Sequence, residues 1–259
     1  MLSIIKSLLI VTIVLLSTPA LKAVDFSIDN LAYTITSHSD HTVQVEGCTP
    51  LISGALIIPD SVLYNGEKYA VTNINLAAFS NSTYLTEVYI PKTVVNFVNR
   101  CFTYCPALER IVVDSDNPYL DSRDDCNAII RTSTNTLEVG CKNTIVPNTV
   151  KRIGYGAFEG CTSLTSIKIP DSIFQISARA FEGCTGLTSI EIPASVINID
   201  GLSFYKCTNL QNVSLTEGLQ IIKDGAFLHC SSLSNIMIPS TVKSIGHDAF
   251  SGCPFCNEK

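Results

Sequence analysis

Residues 157–177 read AFEGCTSLTSIKIPDSIFQIS, and residues 180–200 read AFEGCTGLTSIEIPASVINID. The second stretch repeats the first 23 residues later, with alanine, phenylalanine, cysteine and proline at the same places. The same period continues along the chain when it is aligned on Phe79, Phe102, Phe158, Phe181, Phe204, Phe227 and Phe250. The interval from Phe102 to Phe158 is 56 residues and therefore contains an insertion of 33 residues, whereas every other interval is 23.

A repeat of about 20 to 29 residues is typical of leucine-rich-repeat solenoids, whose stacked turns bury a continuous core. Within residues 164–170 (LTSIKIP), Ile167 and Ile169 alternate with polar residues, which predicts a short strand with one buried face. Pro170 ends this strand because it has no N–H to donate. These strands are expected to pair into a parallel sheet along one side of the stack. The predicted fold is a repeat solenoid, a β-rich α/β, horseshoe-type right-handed superhelix.

An N-terminal β-hairpin cap and one β-hairpin insertion complete the predicted fold. Asn65-Gly66 is a strong hairpin turn within the cap. The predicted segments are a signal peptide (1–23), the cap with the first solenoid strand (24–70), repeats (71–113), the insertion with its hairpin (114–147), repeats (148–253) and a C-terminal tail (254–259).

The N-terminus, MLSIIKSLLIVTIVLLSTPALKA, has the layout of a secretory signal peptide. Lys6 precedes an apolar run that is short for a membrane span, and Ala20 and Ala23 follow as small residues suited to cleavage. We therefore predict a secreted or cell-surface protein with no stable membrane span after cleavage. An uncleaved membrane anchor is the alternative.

Cysteine recurs three residues after the aligned phenylalanine, at Cys105, Cys161, Cys184, Cys207, Cys230 and Cys253. Equivalent residues of neighbouring turns have parallel Cα–Cβ bonds about 4.8 Å apart, whereas a disulfide prefers a Cβ–Cβ distance of about 3.8 Å. We predict that these residues are buried thiols that pack and make weak hydrogen bonds. Metal binding or redox chemistry is the less favoured interpretation.

Cys126 and Cys141 bracket an apparent hairpin whose turn lies within residues 132–135. Symmetric pairing about that turn places the two cysteines opposite each other, which predicts a Cys126–Cys141 disulfide. A free cross-strand pair is the alternative. The CPFC stretch at 253–256 has the spacing of a redox motif but lacks the strand and helix that such a motif requires.

Composition argues against several classes of function. Apolar residues make up 46% of the chain and charged residues 15%, the net charge is −6, and no basic run is present. Nucleic acid is therefore not an expected partner, because phosphate binding needs a patch of lysine and arginine. Tryptophan is absent, which weakens a carbohydrate-binding interpretation.

No convergent catalytic or metal-binding set is evident, so we predict no enzyme activity, no catalytic residues, no metal and no cofactor. The four histidines (His38, His41, His229 and His247) have no evident nucleophile beside them. Asp114, Asp116 and Asp125 match part of a calcium-loop spacing, but Pro118 and Tyr119 occupy a ligand position and the glycine position.

The outward positions of the predicted strands form the candidate binding face, since solenoids commonly bind partners on such a surface. Its members are Glu87, Tyr89, Arg110, Val112, Lys168, Glu191, Asn212, Asn235 and Met237. Scattered solvated side chains are the alternative interpretation of these positions. The insertion hairpin is a second candidate, because insertions in repeat arrays often project from a functional face.

The 23-residue unit AFEGCTSLTSIKIPDS resembles the BspA-like (Treponema-type) leucine-rich-repeat family over roughly residues 51–253. The resemblance implies a secreted or surface-displayed protein associated with adhesion to host matrix proteins, host cells or other microbes. The family assigns no catalytic residues to carry over. A structural component of the cell envelope and a carbohydrate-binding module are the alternative functions.

Overall fold

A computed structural model describes residues 24–98 and 100–257, so the predicted signal peptide lies outside the described residues. Short β-strands dominate, joined by turns, with 3₁₀ helices at Arg123–Asp125 and Pro254–Asn257. The strands are β1 (Phe26–Ile28), β2 (Leu31–Ser37), β3 (Thr42–Cys48), β4 (Ser53–Ile57), β5 (Ser61–Tyr64), β6 (Glu67–Ile74), β7 (Tyr84–Ile90), β8 (Asn96–Phe97), β9 (Arg110–Val113), β10 (Leu120–Asp121), β11 (Ala128–Arg131), β12 (Thr136–Gly140), β13 (Arg152–Ile153), β14 (Gln175–Ile176), β15 (Ser189–Ile192), β16 (Asn198–Ile199), β17 (Asn212–Leu215), β18 (Ile221–Ile222) and β19 (Ser244–Ile245).

The N-terminal strands form an antiparallel unit that continues into the repeats. Strands β1, β2 and β3 pair in sequence, and β5 pairs with β6 across the Asn65-Gly66 turn, where both residues have the left-handed conformation. Strand β6 also pairs in parallel with β3 and with β8. The first repeats therefore stack directly on this N-terminal unit.

The most regular sheet lies on the side of the turn that follows the proline. Strands β12, β13, β14, β16, β18 and β19 pair in parallel, one after the other, and we call them the back ladder. From β13 onward the pairing register advances by the repeat length, as in Ile153 opposite Ile176. Ile153, Ile176, Ile199 and Ile222 are fully buried along it.

The strands predicted from the LxxIxIP pattern do not form one continuous sheet, which corrects the sequence-based expectation. Only β4–β7–β9 and β15–β17 pair there, and we call these the front strands. Residues 166–169 and 235–238, which follow the same pattern, belong to no strand. Ile167 and Ile236 are only partly buried, whereas the equivalent Ile190 and Val213 of the paired strands are buried, so these two segments pack less closely against their neighbours.

Phenylalanine stacks through the interior as the repeat predicts. Phe79, Phe158, Phe181, Phe204 and Phe227 are fully buried. Ring centroids lie 5.0 to 5.4 Å apart, with nearly parallel planes, in the pairs Phe79–Phe102, Phe158–Phe181, Phe181–Phe204, Phe204–Phe227 and Phe227–Phe250. The column is interrupted between Phe102 and Phe158, where the insertion enters.

The insertion builds a turn of its own. The Gly140 N–H donates to Ala157 O at 2.8 Å, just as the Phe158 N–H donates to Ala180 O at 2.7 Å. Gly140 thus occupies the phenylalanine position of this turn. A Cβ atom at Gly140 would lie 2.1 Å from Cε1 of Phe158, so glycine is what allows the next ring to fit.

The insertion hairpin lies in the core, contrary to the expectation that it projects. Ala128, Ile129, Ile130 and Leu137 are fully buried. Ile129 packs in the N-terminal hydrophobic cluster, whereas Ala128 and Ile130 pack in the C-terminal cluster. Strand β11 is therefore a layer between two cores, with alternate side chains facing each.

The column cysteines are buried and bond between turns. The Sγ atoms of Cys184, Cys207 and Cys230 each donate at 3.1 Å to the carbonyl of the phenylalanine one turn earlier. Burial raises the pKa of Cys207 to about 12, which keeps the thiol protonated. This is the packing role predicted from the repeat.

The predicted Cys126–Cys141 disulfide does not form in the structure, where both residues carry free thiols. A bulge between Ile129 and Ile130 shifts the hairpin register, so that Ala128 pairs with Gly140. The shift removes Cys126 and Cys141 from opposite positions. Cys126 packs in the C-terminal cluster and Cys141 in the N-terminal cluster.

Candidate functional site: the outward face of the front strands

Alternation along the front strands separates the core from the candidate face. In β7 and β9, Val88, Ile90 and Ile111 are buried, while the residues between them point outward. In β15 and β17 the same alternation buries Ile190 and Val213. The predicted face residues therefore point away from the core on the paired strands.

Glu87, Tyr89 and Arg110 form a bonded group at the N-terminal end of this face. The Tyr89 hydroxyl donates to Glu87 Oε2 at 2.7 Å, and Arg110 Nη1 donates to that hydroxyl oxygen at 3.1 Å. The guanidinium also lies 5.7 Å from the Tyr89 ring centroid and 3.5 Å from the Glu87 carboxylate. The hydrogen bond to Glu87 raises the pKa of Tyr89. The group presents a fixed phenol and a half-exposed cation, with Val112 beside Tyr89 on β9.

Lys168 and Glu191 face each other across an open groove of about 490 Å³. Among the described residues neither side chain forms an ion pair, although the two lie on neighbouring turns. The groove runs between residues 166–169 and β15, where the ladder pairing is missing. Both charges are thus available to a partner.

A second groove, of about 500 Å³, separates β17 from residues 235–238. Asn212, Asn235 and Met237 line it, and 81% of Met237 is exposed. At one end the Glu217 carboxylate accepts hydrogen bonds from the N–H groups of Ser240 and Thr241, which lower the pKa of Glu217.

The structure adds two exposed apolar residues to this face that the sequence-based prediction missed. Ile57 on β4 pairs in register with Tyr89 and is 68% exposed. Ile145 in the insertion is 70% exposed and lines a groove of about 460 Å³ together with Lys168. Both residues lie just before a proline of the repeat, in LIIP and TIVP, and that motif is the signal that could have identified them.

The insertion divides the predicted face into two groups. Glu87, Tyr89, Arg110 and Val112 lie together on β7 and β9. Lys168, Glu191, Asn212, Asn235 and Met237 follow beyond the turn that contains Ile145. Ile145 thus stands between the two groups.

The described residues contain no group of three or more histidine, cysteine, aspartate or glutamate side chains placed to hold a metal ion. His247 lies 2.8 Å from Asp248, and the His229 ring stands 5.9 Å from the Tyr205 ring. No helix within residues 24–98 and 100–257 is long and apolar enough to cross a bilayer.

The stacked turns, the phenylalanine column and the parallel ladder define a leucine-rich-repeat solenoid protein. Residues 66–124 and 134–257 match the family described as BspA type leucine rich repeat region, in six copies. The chain belongs to this family.

Several bacterial structures are similar to the chain. A leucine-rich repeat protein from Bacteroides ovatus is 29% identical, with a TM-score of 0.51, over 88% of this chain and 57% of that one. A leucine rich cell surface protein from Faecalibacterium prausnitzii is 27% identical, with a TM-score of 0.48, over 88% and 52%. The leucine-rich repeat protein of T. pallidum is 23% identical, with a TM-score of 0.49, over 88% and 89%.

The chain spans about half the length of the B. ovatus and F. prausnitzii proteins. No protein of curated function matches the sequence.

Proposed function

We propose that this protein is a secreted or surface-displayed, non-enzymatic module that binds other proteins, with an adhesin-like role toward host or microbial surface proteins. Membership of the BspA-type family supports a protein-interaction role. We also propose that residues 1–23 direct export of the chain, and that the stacked turns have the horseshoe-type, right-handed curvature that this repeat length favours.

The observation that carries the proposal is the composition of the front face. Ile57, Ile145 and Met237 are exposed apolar side chains on a rigid stack, at 68%, 70% and 81% exposure. Lys168 and Glu191 lie among them without an ion pair to any described residue. Protein interfaces combine exposed apolar anchors with polar groups that set orientation, and this face offers both.

Binding of residues 24–259 to extracellular-matrix proteins, mucins, glycans and whole microbial cells tests the proposal. The site variant is Lys168→Glu combined with Glu191→Lys, which keeps the net charge and reverses the local field. Its control is Lys68→Glu combined with Asp40→Lys, two exposed residues of the N-terminal unit; this change keeps the net charge and removes only the exposed Ser37–Asp40 hydrogen bond. We expect a saturable protein ligand whose affinity falls in the site variant and is unchanged in the control.

Two results would contradict the proposal. Equal binding by both variants would place the site elsewhere on the molecule. A ligand confined to the glycan arm, and lost in Tyr89→Ala, would instead favour the carbohydrate-binding alternative.

A further inference from the structure

A column of side chains along the back ladder combines exposed apolar groups with cations. Lys151, Phe174, Ile197, Gln220 and Lys243 stand one above the other, because each N–H donates to the carbonyl of the residue one turn earlier, at 2.8 to 3.0 Å. At the usual spacing of neighbouring strands, the column from Lys151 to Lys243 is about 19 Å long.

The middle of this column is apolar and its ends are positive. Phe174 is 39% exposed and Ile197 is 41% exposed. Lys151 and Lys243 flank them, and the Arg152 guanidinium lies 5.7 Å from the Phe174 ring centroid. None of these three cations has an ion pair with a carboxylate of the described residues. We call Lys151, Arg152, Phe174, Ile197 and Lys243 the cationic ledge.

The start of the insertion has the complementary composition. Asp114, Asp116, Asp124 and Asp125 are exposed, and none of them has an ion pair within the described residues. Tyr119 lies in the middle of this stretch and is 52% exposed. We call residues 114–125 the acidic segment.

The two patches adjoin on one molecule. Arg123 Nη1 donates to Thr149 Oγ1 at 3.2 Å, which places the end of the acidic segment beside the start of the ledge. Strand β10, within the acidic segment, is the first strand of the sheet that contains the back ladder, and β19 is the last. The acidic segment therefore lies at the β10 end of this sheet, and the cationic ledge begins at β13 and runs toward the β19 end.

We propose that the chain forms a two-fold symmetric dimer in which the acidic segment of each copy lies on the cationic ledge of the other. Adjoining patches of opposite charge are self-complementary under a two-fold axis, so both contacts form at once and the assembly closes. Tyr119 then packs against Phe174 and Ile197, an aromatic anchor between charged ends. A chain with a net charge of −6 repels its copies elsewhere, which favours contact where cations are concentrated. The inference is independent of the binding role of the front face.

Sedimentation equilibrium of residues 24–259 tests the dimer. The ledge variant is Lys151→Glu with Lys243→Glu, and the segment variant is Asp114→Lys with Asp116→Lys and Asp125→Asn, which makes the net charge of the segment's exposed acidic positions positive. The control, Lys68→Glu with Lys206→Glu, reverses two exposed lysines outside both patches. Each test variant should raise the dimer Kd by at least about tenfold, because it places like charges across the interface. The control should keep the Kd of the unchanged chain, and circular dichroism checks that every variant is folded.

Mixing the two test variants provides the sharper measurement. Within each variant, the segment and the ledge carry charge of the same sign, so two copies of one variant repel each other. In a mixed pair, the negative ledge of the ledge variant meets the positive segment of the segment variant, and the negative segment meets the positive ledge. Equal amounts should therefore form a mixed dimer although neither forms its own. The Kd of the unchanged chain should also rise between about 0.1 M and about 1 M salt, because the ion pairs are screened.

A chain that stays monomeric up to about 1 mM overturns the proposal. So does a dimer that both charge reversals leave intact, or a mixture that remains monomeric. Growth into larger assemblies would exclude the two-fold arrangement, since only an open-ended contact continues to add copies.

Discussion

The interior of this solenoid and its front face obey the same 23-residue repeat and yet differ in regularity. Inside, phenylalanine rings stack at 5.0 to 5.4 Å, and the back ladder pairs from β12 to β19 without a break. At the front, two segments leave the ladder, and open grooves separate them from neighbouring strands. Close packing tolerates little variation from turn to turn, whereas a solvated position tolerates much. Function is therefore expected where the repeat is least uniform.

Loss of one ring from the column should have the largest effect. Phe181 is fully buried between Phe158 and Phe204, at centroid distances of 5.0 and 5.2 Å. Phe181→Ala should lower the free energy of unfolding by about 3–5 kcal/mol, because it opens a cavity between turns. Chemical denaturation measures this. Phe174→Ala is the control, since Phe174 is 39% exposed and its loss opens no interior cavity, and it should cost about 1–2 kcal/mol. Equal losses in the two variants would refute the interior column as the main source of stability.

Crowding the column at the insertion should have an intermediate effect. Gly140→Ala places a methyl group within 2.1 Å of the Phe158 ring and should destabilise the protein by about 1–3 kcal/mol. Gly140→Ala, Phe158→Leu and the double variant form a double-mutant cycle, which is measured by thermal and chemical unfolding. The double variant should lose less than the sum of the two single changes, because leucine leaves room for the methyl group. Strict additivity would show that the two positions are not in contact.

A change in the cysteine column should have the smallest effect. Cys184 is fully buried and donates to Phe158 O at 3.1 Å, a bond that a serine hydroxyl can also make. Cys184→Ser should destabilise the fold by about 1 kcal/mol, because a buried hydroxyl costs more to remove from water than a thiol does. Binding by the front face should not change. If Cys184→Ser keeps the stability of the unchanged chain but no longer binds a ligand, this thiol is part of a binding site.

Much of the fold could be predicted from the sequence because the signal is repeated. The repeat predicts that Phe181 and its equivalents lie in the core and that Cys184 and its equivalents are buried one above the other. The structure confirms that Phe181 and Cys184 are fully buried. Position within the repeat was enough for these residues, since stacking makes every turn the environment of the next.

The insertion could not be predicted in the same way because it occurs once. The sequence indicated a hairpin with its turn near residues 132–135, and β11 and β12 pair across that turn. It did not indicate the bulge between Ile129 and Ile130, which moves Cys126 and Cys141 out of opposite positions. A register shift of one residue depends on which core each face must fill, and two cores meet at this hairpin.

The front face was predicted in part. The outward residues Glu87, Tyr89 and Arg110 follow from strand alternation, but the bonds that join them need side chains from two turns at specific distances. Ile57 and Ile145 were missed because they lie in the N-terminal unit and the insertion, where the repeat is harder to recognise.

The sequence by itself determined the solenoid, its period, its interior column and its family, because these depend on which residue types recur at fixed spacing. Only the tertiary structure decided which strands pair, where the front opens, and that residues 114–125 adjoin the cationic ledge. The physical reason is that a local pattern specifies which side of a strand is buried. The distance between two turns and the register of a hairpin depend instead on packing between residues far apart in the chain.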